Sequence, residues 1–489
     1  MINQINSIVK EANAAFQIYQ NVSGADKKIF LYSIAEELEI SGEEICKTAS
    51  EETNLPVVRF QGELARTCSQ LRLFGDIAGE GSWVNAVIDT ADEARKPLRK
   101  PDMRKMLIPL GPVVVFGASN FPLAYSTPGG DTASALAAGC PVIVKGHPAH
   151  PNTSQLTAEA IERAVEKCSL PKGIFQHITS SSFEVGKWLV QHPGVTGVGF
   201  TGSLQGGRAL HQYAQNREVP IPVFAEMGSV NPVVLFKHAL LEKTPELAKM
   251  YASSITMGVG QFCTNPGILI GLKSSALNHF TSLLALELSL TNSYKMLHKG
   301  IYENYTNELD KILYEKGVET VFHAHEQENL KASAVLARVP AKEFLKNPNL
   351  KNEIFGPFSL IVVCDNIKEL EEVWKSFPGQ LTTSVIGTNQ DIEIHQRLIK
   401  EATQFSGRIV YNSAPTGVEV SHATVHGGPF PATTDSRFTS VGGDAILRWV
   451  RPVCYQDCPE FMLAPELKND NPLGIMRKIN GLFSREAIK

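Results

Sequence analysis

The chain has 489 residues, 43% hydrophobic and 20% charged, with a formal net charge of -4. That length exceeds what one hydrophobic core serves and predicts two or three domains, while the composition excludes a disordered or fibrous chain. No run of five or more Lys/Arg interrupts the sequence, so neither nucleic acid nor an anionic membrane surface is expected as a partner.

The opening Met1–Asn6 lacks the cationic and apolar regions of a secretory signal, and no long window is continuously apolar; a cytoplasmic protein is expected. Residues 2–76 repeat apolar positions at three and four residues, as in Phe30, Leu31, Ile34, Leu38 and again Leu64, Cys68, Leu71, Leu73. This predicts a group of amphipathic helices. Between Asp92 and Leu110 the two prolines of Lys96–Pro101 keep the chain extended, either as a solvated loop or as a hairpin arm between subunits.

Short apolar runs follow at Val113–Phe116, Val142–Val144, Ile174–Ile178, Val195–Phe200 and Ile221–Phe224, separated by helical segments such as Thr153–Cys168 and Phe183–His192. The alternation predicts an α/β fold with a parallel sheet. Ligands of such sheets lie at the carboxyl ends of the strands, which selects Gly117–Asn120, Lys145–His147, Thr201–Ser203 and Ala225–Gly228. Gly202 and Ser203 open a helix and suit an anion, though a plain turn reads the same way. Taken singly, Lys145 reads as a surface lysine, Asn120 as a cap and Glu226 as a turn residue.

A second α/β unit is expected from about Ser229, with strands at Gly267–Leu272, Phe358–Val363 and Thr382–Ile386 and helices at Asn278–Ser289, Tyr302–Lys316 and Asp391–Ala402. Within it, Gly260–Asn265 sets Cys263 just before an apolar run. That placement suits a thiol displayed at the lip of a strand, although a lone cysteine is more often a small buried hydrophobe. From Arg448 onward, prolines at 452, 459, 465 and 472 leave no clean periodicity until Leu473–Phe483. The eight cysteines form no compact framework, so reduced thiols are expected. Cys454 with Cys458, and His147 with His150, lack further ligands nearby, and no metal site is expected.

Together an amide, an ammonium, a carboxylate and a thiol match the needs of one reaction, oxidation of an aldehyde through a covalent thiohemiacetal and thioester. The segments Asn120–Leu123, Val144–Lys145, Phe200–Ser203, Glu226–Gly228, Gly260–Cys263 and Glu353–Pro357 resemble, in order and spacing, the aldehyde dehydrogenase superfamily. The resemblance implies a cofactor-binding domain at 1–228 with a bridging hairpin at about 92–110, a catalytic domain at 229–447, and a C-terminal extension at 448–489 making contacts in a homodimer or homotetramer. It implies Cys263 as nucleophile, Glu226 as the base for water, and Asn120 in the oxyanion hole. It further implies Lys145, Phe200, Gly202, Ser203, Glu353 and Phe355 as cofactor-binding residues.

Val115–Pro122, Gly129–Gly139 and Val425–Arg437 look like the branch that holds 2,5-dioxovalerate (α-ketoglutaric semialdehyde) dehydrogenases and an NADP-dependent fatty aldehyde dehydrogenase. The resemblance thus implies oxidation of 2,5-dioxovalerate to 2-oxoglutarate, with a medium- or long-chain aliphatic aldehyde as the alternative and a catalytically silent protein of the same fold as the reading from another class. Phe121, Tyr125 and Arg437 are the expected pocket residues. Either NADP or NAD is the expected cofactor. Pro148 stands where many NAD-using relatives carry a glutamate, which removes a repulsion against a 2′-phosphate and leans the reading to NADP.

Overall fold

In the computed structural model, which describes residues 2–324 and 328–488, the chain opens with helices α1 (Ile2–Tyr19), α2 (Gly24–Ile40), α3 (Gly42–Thr53) and α4 (Val57–Glu80). The helical spacing brings Phe30, Leu31, Ile34 and Leu38 of α2 into one buried core with Leu64, Cys68 and Leu71 of α4. Ser23 Oγ accepts the Asp26 N–H to start α2, and Gly81, at φ 81°, supplies the left-handed residue that ends α4.

The chain continues through β1 (Val87–Asp89), β2 (Met103–Pro109), β3 (Val113–Phe116), α5 (Gly130–Ala138), β4 (Val142–Gly146), α6 (Pro151–Lys167), β5 (Phe175–Thr179), α7 (Phe183–Gln191), β6 (Gly197–Thr201), α8 (Leu204–Gln215) and β7 (Val223–Glu226). Strands β3 to β7 pair in parallel, in the order β5-β4-β3-β6-β7. The direction of winding reverses between β3 and β6, so the crevice for a ligand opens between the Gly117–Asn120 and Thr201–Ser203 loops.

A second unit follows: β8 (Val233–Leu235), α9 (Lys237–Thr256), β9 (Ile268–Leu272), α10 (Ser275–Ser289), β10 (Tyr294–Lys295), α11 (Lys299–Leu313), β11 (Glu319–His323), β12 (Lys331–Ala332), β13 (Val335–Pro340), α12 (Ala341–Lys346), β14 (Phe358–Cys364), α13 (Ile367–Lys375), β15 (Gln380–Ile386), α14 (Asn389–Ile394), α15 (Gln396–Glu401) and β16 (Ser406–Tyr411). Seven of these strands form a sheet ordered β11-β13-β14-β9-β8-β15-β16, parallel except at β11. The single helix expected over Asp391–Ala402 is divided at His395, which leaves helical geometry with ψ 17° and stacks its ring on Phe236 at 4.5 Å.

The last strands, β17 (Val450–Gln456), β18 (Arg477–Ile479) and β19 (Leu482–Ser484), join β1 and β2 in a five-stranded sheet ordered β17-β2-β1-β18-β19. The expected hairpin is therefore broader than two strands. Asp92 and Lys100 exchange backbone hydrogen bonds of 2.9 Å, and Met103–Pro109 pairs antiparallel along Val450–Gln456. Pro452 is tolerated because β17 lies at the sheet edge. Before β17 the chain crosses back to the first sheet: Met227 N–H donates to Ala432 O (2.8 Å) and Thr434 N–H to Ala225 O (3.1 Å). Among the described residues no helix is long and apolar enough to cross a membrane.

Candidate active site

Between α9 and β9 the backbone takes three successive positive φ values, at Gly258 (55°), Val259 (59°) and Gly260 (67°). Left-handed geometry at the β-branched Val259 costs roughly 1–3 kcal/mol and persists only where the surroundings enforce it. Gly260 shows the enforcement, since any Cβ there would sit inside the backbone of Gly356 and Pro357. The Cys263 loop is held from the other side by Asn231, whose Nδ2 donates to Cys263 O and to Asn265 O, each at 2.8 Å. Asn231 belongs to a buried network with Ser229, Gln380 and Thr382. Thus the loop bearing the thiol is latched to the residues that follow β7.

Cys263 Sγ lies 3.5 Å from His426 Nε2, which in turn lies 3.0 Å from Glu226 Oε1. Ser440 Oγ donates to the other carboxylate oxygen at 2.5 Å. The side chains of His426 and Glu226 are 0% and 2% exposed. The ring nitrogen makes its hydrogen bond with the sulfur, and Glu226 Oε1 sits off that axis as a charge neighbour. Burial, reinforced by the charges of Glu226 and Glu353, pushes the Cys263 thiol well above its ordinary pKa, with Arg408 acting the other way. Burial also opposes ionisation of Glu226, but a protonated His426 beside it and the hydrogen bond from Ser440 outweigh it and hold the carboxyl below its usual range.

A thiol so placed keeps its proton near neutral pH and needs a base; His426 is positioned to accept that proton, and the Glu226 carboxylate to stabilise the resulting imidazolium. Accordingly, His426→Asn slows alkylation of Cys263 by iodoacetamide about 100-fold at neutral pH, the lower end of the range for loss of a positioned base. It also moves the alkylation midpoint to higher pH, read by mass spectrometry of the Cys263 peptide. Equal rates and midpoints in the two proteins would remove His426 from this role.

Asn120 lies at the end of the loop after β3, and its Nδ2 donates to Gln261 O at 3.1 Å, which brings the amide to the Cys263 loop. Its segment is braced from α4. Arg59 donates to Asn120 O (2.8 Å) and pairs with Glu63 (2.7 Å), and Glu63 accepts the N–H groups of Leu123 and Ala124. Phe121 packs against Tyr125 and Phe262 with ring centroids 5.3 and 5.1 Å away, and Tyr125 lies 6.1 Å from the His426 ring. These rings wall the approach to the thiol. Arg437 does not join them: its side chain is 79% exposed and paired with Asp435 at 2.6 Å.

The residues expected at the cofactor lie around the first sheet and its junction with the second. Lys145, whose ammonium donates to Ser180 O at 2.7 Å, is half-buried, and burial lowers its pKa. Ser203 caps α8, its Oγ accepting the Gly206 N–H. The Phe200 ring presses on Gly202 and Gly206, where a Cβ would come within 2.6 and 2.9 Å of it. Glu353 accepts the Ser229 N–H at 3.3 Å; burial, opposed by that hydrogen bond and reinforced by the charge of Glu226, raises its carboxyl to about 7. Glu353, Phe355, Ser229, Gly260 and Phe262 line a shallow cleft. A capped helix N-terminus and an ammonium at the carboxyl edge of the first sheet, with a carboxyl lining the cleft, are groups that suit a nicotinamide dinucleotide, the helix end for phosphate and the carboxyl for hydroxyls.

Sequence reading missed His426, although it lies inside the quoted Val425–Arg437 segment. It also missed Ser440, Asn231, Gln380, Arg59 and Glu63. The only available signal for His426 was a lone histidine before Gly427–Gly428, and the others carried none.

The model of the Aldehyde dehydrogenase family matches residues 2–429. The alpha-ketoglutaric semialdehyde dehydrogenase 2 of Azospirillum brasilense is 46% identical over 471 residues, covering 96% of this chain and 90% of that protein. The alpha-ketoglutaric semialdehyde dehydrogenase of Acinetobacter baylyi is 43% identical over 486 residues, 99% of this chain and 92% of that protein. Among solved structures, methylmalonate-semialdehyde dehydrogenase from Oceanimonas doudoroffii superposes with a TM-score of 0.79 at 16% identity, over 93% of this chain and 90% of that one. A bifunctional proline utilization A protein gives 0.78 at 18% identity over 93% of this chain, which spans only 45% of that longer chain. At such identities the likeness is one of fold.

Proposed function

Because this chain belongs to the aldehyde dehydrogenase family, whose members oxidise aldehydes with NAD or NADP, we propose that it converts 2,5-dioxovalerate (α-ketoglutaric semialdehyde) to 2-oxoglutarate. The observation that carries the reading is the convergence of the part-exposed Cys263 with the buried His426 and Glu226 in one cluster. Support for the particular aldehyde comes from the names of the two relatives matching nearly the whole chain.

In the proposed mechanism, His426 takes the thiol proton and Cys263 Sγ attacks the aldehyde carbon. The amide of Asn120 and the Cys263 backbone N–H face the developing oxyanion. The nicotinamide, when bound, supplies the hydride acceptor that makes this an oxidation. Lys145, Phe200, Gly202, Ser203, Glu353 and Phe355 are the residues that would hold the dinucleotide. Glu226 then deprotonates the water that hydrolyses the thioester on Cys263. A thioester transfer to coenzyme A would not need that base.

The cofactor reading favours NADP, because Pro148 offers no carboxylate against a 2′-phosphate and Lys145 stands near by. Residues 1–228 form the proposed cofactor unit, 229–447 the catalytic unit, and 448–489 the contacts of a homodimer or homotetramer working in the cytoplasm. Leu482 and Phe483, each 75% exposed on the last strand, are apolar surface available for such contacts. A second reading, an aliphatic fatty aldehyde, is favoured by the aromatic wall of Phe121, Tyr125 and Phe262.

An initial-rate panel of 2,5-dioxovalerate, succinic semialdehyde, glutaraldehyde and a long-chain aldehyde, each with NAD and with NADP, tests both choices. The highest kcat/KM is expected for 2,5-dioxovalerate with NADP. A long-chain optimum would replace the substrate assignment, and faster turnover with NAD would reverse the cofactor preference.

A further inference from the structure

An aldehyde that also carries a carboxylate brings a charge into a largely buried pocket, and that charge needs a cationic partner there. Arg437 is committed to Asp435 at the surface. Arg59, on α4, is likewise committed, to Glu63 and to Asn120 O. Two other arginines differ from these, since among the described residues neither has a carboxylate within ion-pair distance.

Arg66, also on α4, stacks its guanidinium over the Tyr125 ring at 5.2 Å and donates from Nη2 to the Tyr125 hydroxyl at 3.3 Å. Its Nη1 is buried and has no partner among the described residues. Arg408, on β16, donates to Gly417 O (3.0 Å) and Pro415 O (2.6 Å), both neutral acceptors, while its buried Nε is unpartnered among the described residues. It is close enough to Cys263 and Tyr125 for their negative forms to favour its charge, against a burial that lowers its pKa. Two cations held by neutral groups in the neighbourhood of Tyr125, each with a buried nitrogen unfilled, are an arrangement that an anionic ligand completes.

Resting on the keto-acid reading above, we propose that Arg66 and Arg408 receive the substrate carboxylate and make this pocket selective for carboxylated aldehydes. Four carbon–carbon bonds of about 1.5 Å separate the aldehyde carbon of 2,5-dioxovalerate from its carboxylate carbon, an extended reach of about 5 Å from the atom that Cys263 attacks. Tyr125 lies between the two ends of the proposed pocket, its ring 6.1 Å from that of His426 and 5.2 Å from the Arg66 guanidinium.

The test compares kcat and KM for 2,5-dioxovalerate and for pentanal, which has the same chain length and no charge, in the wild type, Arg66→Met, Arg408→Met and the two Lys variants. Each Met variant is expected to lower kcat/KM for the keto acid about 100-fold more than for pentanal, mainly through KM, as for loss of one member of a buried charge pair. The Lys variants should recover part of the preference, because an ammonium keeps the charge and loses the fork. Equal losses on both aldehydes would assign the arginines a structural role and overturn the proposal. A wild type that prefers the keto acid, with variants that keep the preference, would overturn the arginine assignment alone. A wild type without preference would overturn the keto-acid reading and this proposal together. Should one Met variant fail to fold, the other and the Lys variants carry the same comparison.

Discussion

Cys263→Ser abolishes aldehyde oxidation, lowering the rate about 10⁴-fold or more, the scale seen when a covalent nucleophile is removed, while leaving dinucleotide binding intact. The size follows from the surroundings of the sulfur. Burial and the charges of Glu226 and Glu353 already hold the thiol well above its ordinary pKa, and a hydroxyl, far less acidic, is disfavoured by the same surroundings. His426 Nε2, 3.5 Å from the sulfur, can draw off a thiol proton near neutrality. For serine it would have to do so against a much larger gap in acidity. Cofactor residues are untouched by the change, because the thiol loop is anchored through the Cys263 backbone carbonyl to Asn231. Initial rates of reduced cofactor formation and a fluorescence titration of the dinucleotide give the two readouts. Near-normal turnover in the variant would end the case for Cys263 as nucleophile.

What sequence made legible, and what it did not, divides along a physical line. Asn120, Lys145, Ser203 and Glu226 stand at or just beyond the carboxyl ends of β3, β4, β6 and β7. Each is therefore announced by an apolar run that local periodicity can detect. His426 has no such marker. It lies 163 residues from Cys263, in the coil between β16 and β17, and reaches the thiol only because residues 432–434 run back along β7. Arg66 sits on α4 where helical spacing reads as a polar face, and Arg408 on β16 among residues that alternate too weakly to declare a strand. Helix α9 was obscured for another reason: Pro245 lies inside it and Lys243 leaves helical geometry at φ -134°, so its periodic pattern is broken. Residues that act through long-range closure of the chain carry no local pattern, and these are the ones that tune the site.

Glu226→Gln should release about one equivalent of reduced cofactor per active site in a burst and then stall, with steady-state turnover lowered roughly 10³-fold, within the range for loss of a general base. Glu226 is ionised at neutral pH, since His426 beside it and the hydrogen bond from Ser440 hold its carboxyl below the usual range despite full burial. An amide of the same shape can still accept from Ser440, as the carboxylate does at 2.5 Å, but it cannot take a proton from water. The acyl group then remains on Cys263. The variant also removes the negative charge 3.0 Å from His426 Nε2, which makes an imidazolium there less stable. The burst itself should therefore slow, though less than the steady state, because His426 keeps its contact with the sulfur. Stopped-flow absorbance of the reduced cofactor separates the two phases, and mass spectrometry finds the acyl adduct on the Cys263 peptide. If instead the steady-state rate were unchanged and coenzyme A raised it, the carboxylate would not serve hydrolysis, and the enzyme would be an acylating one that passes its thioester to a thiol.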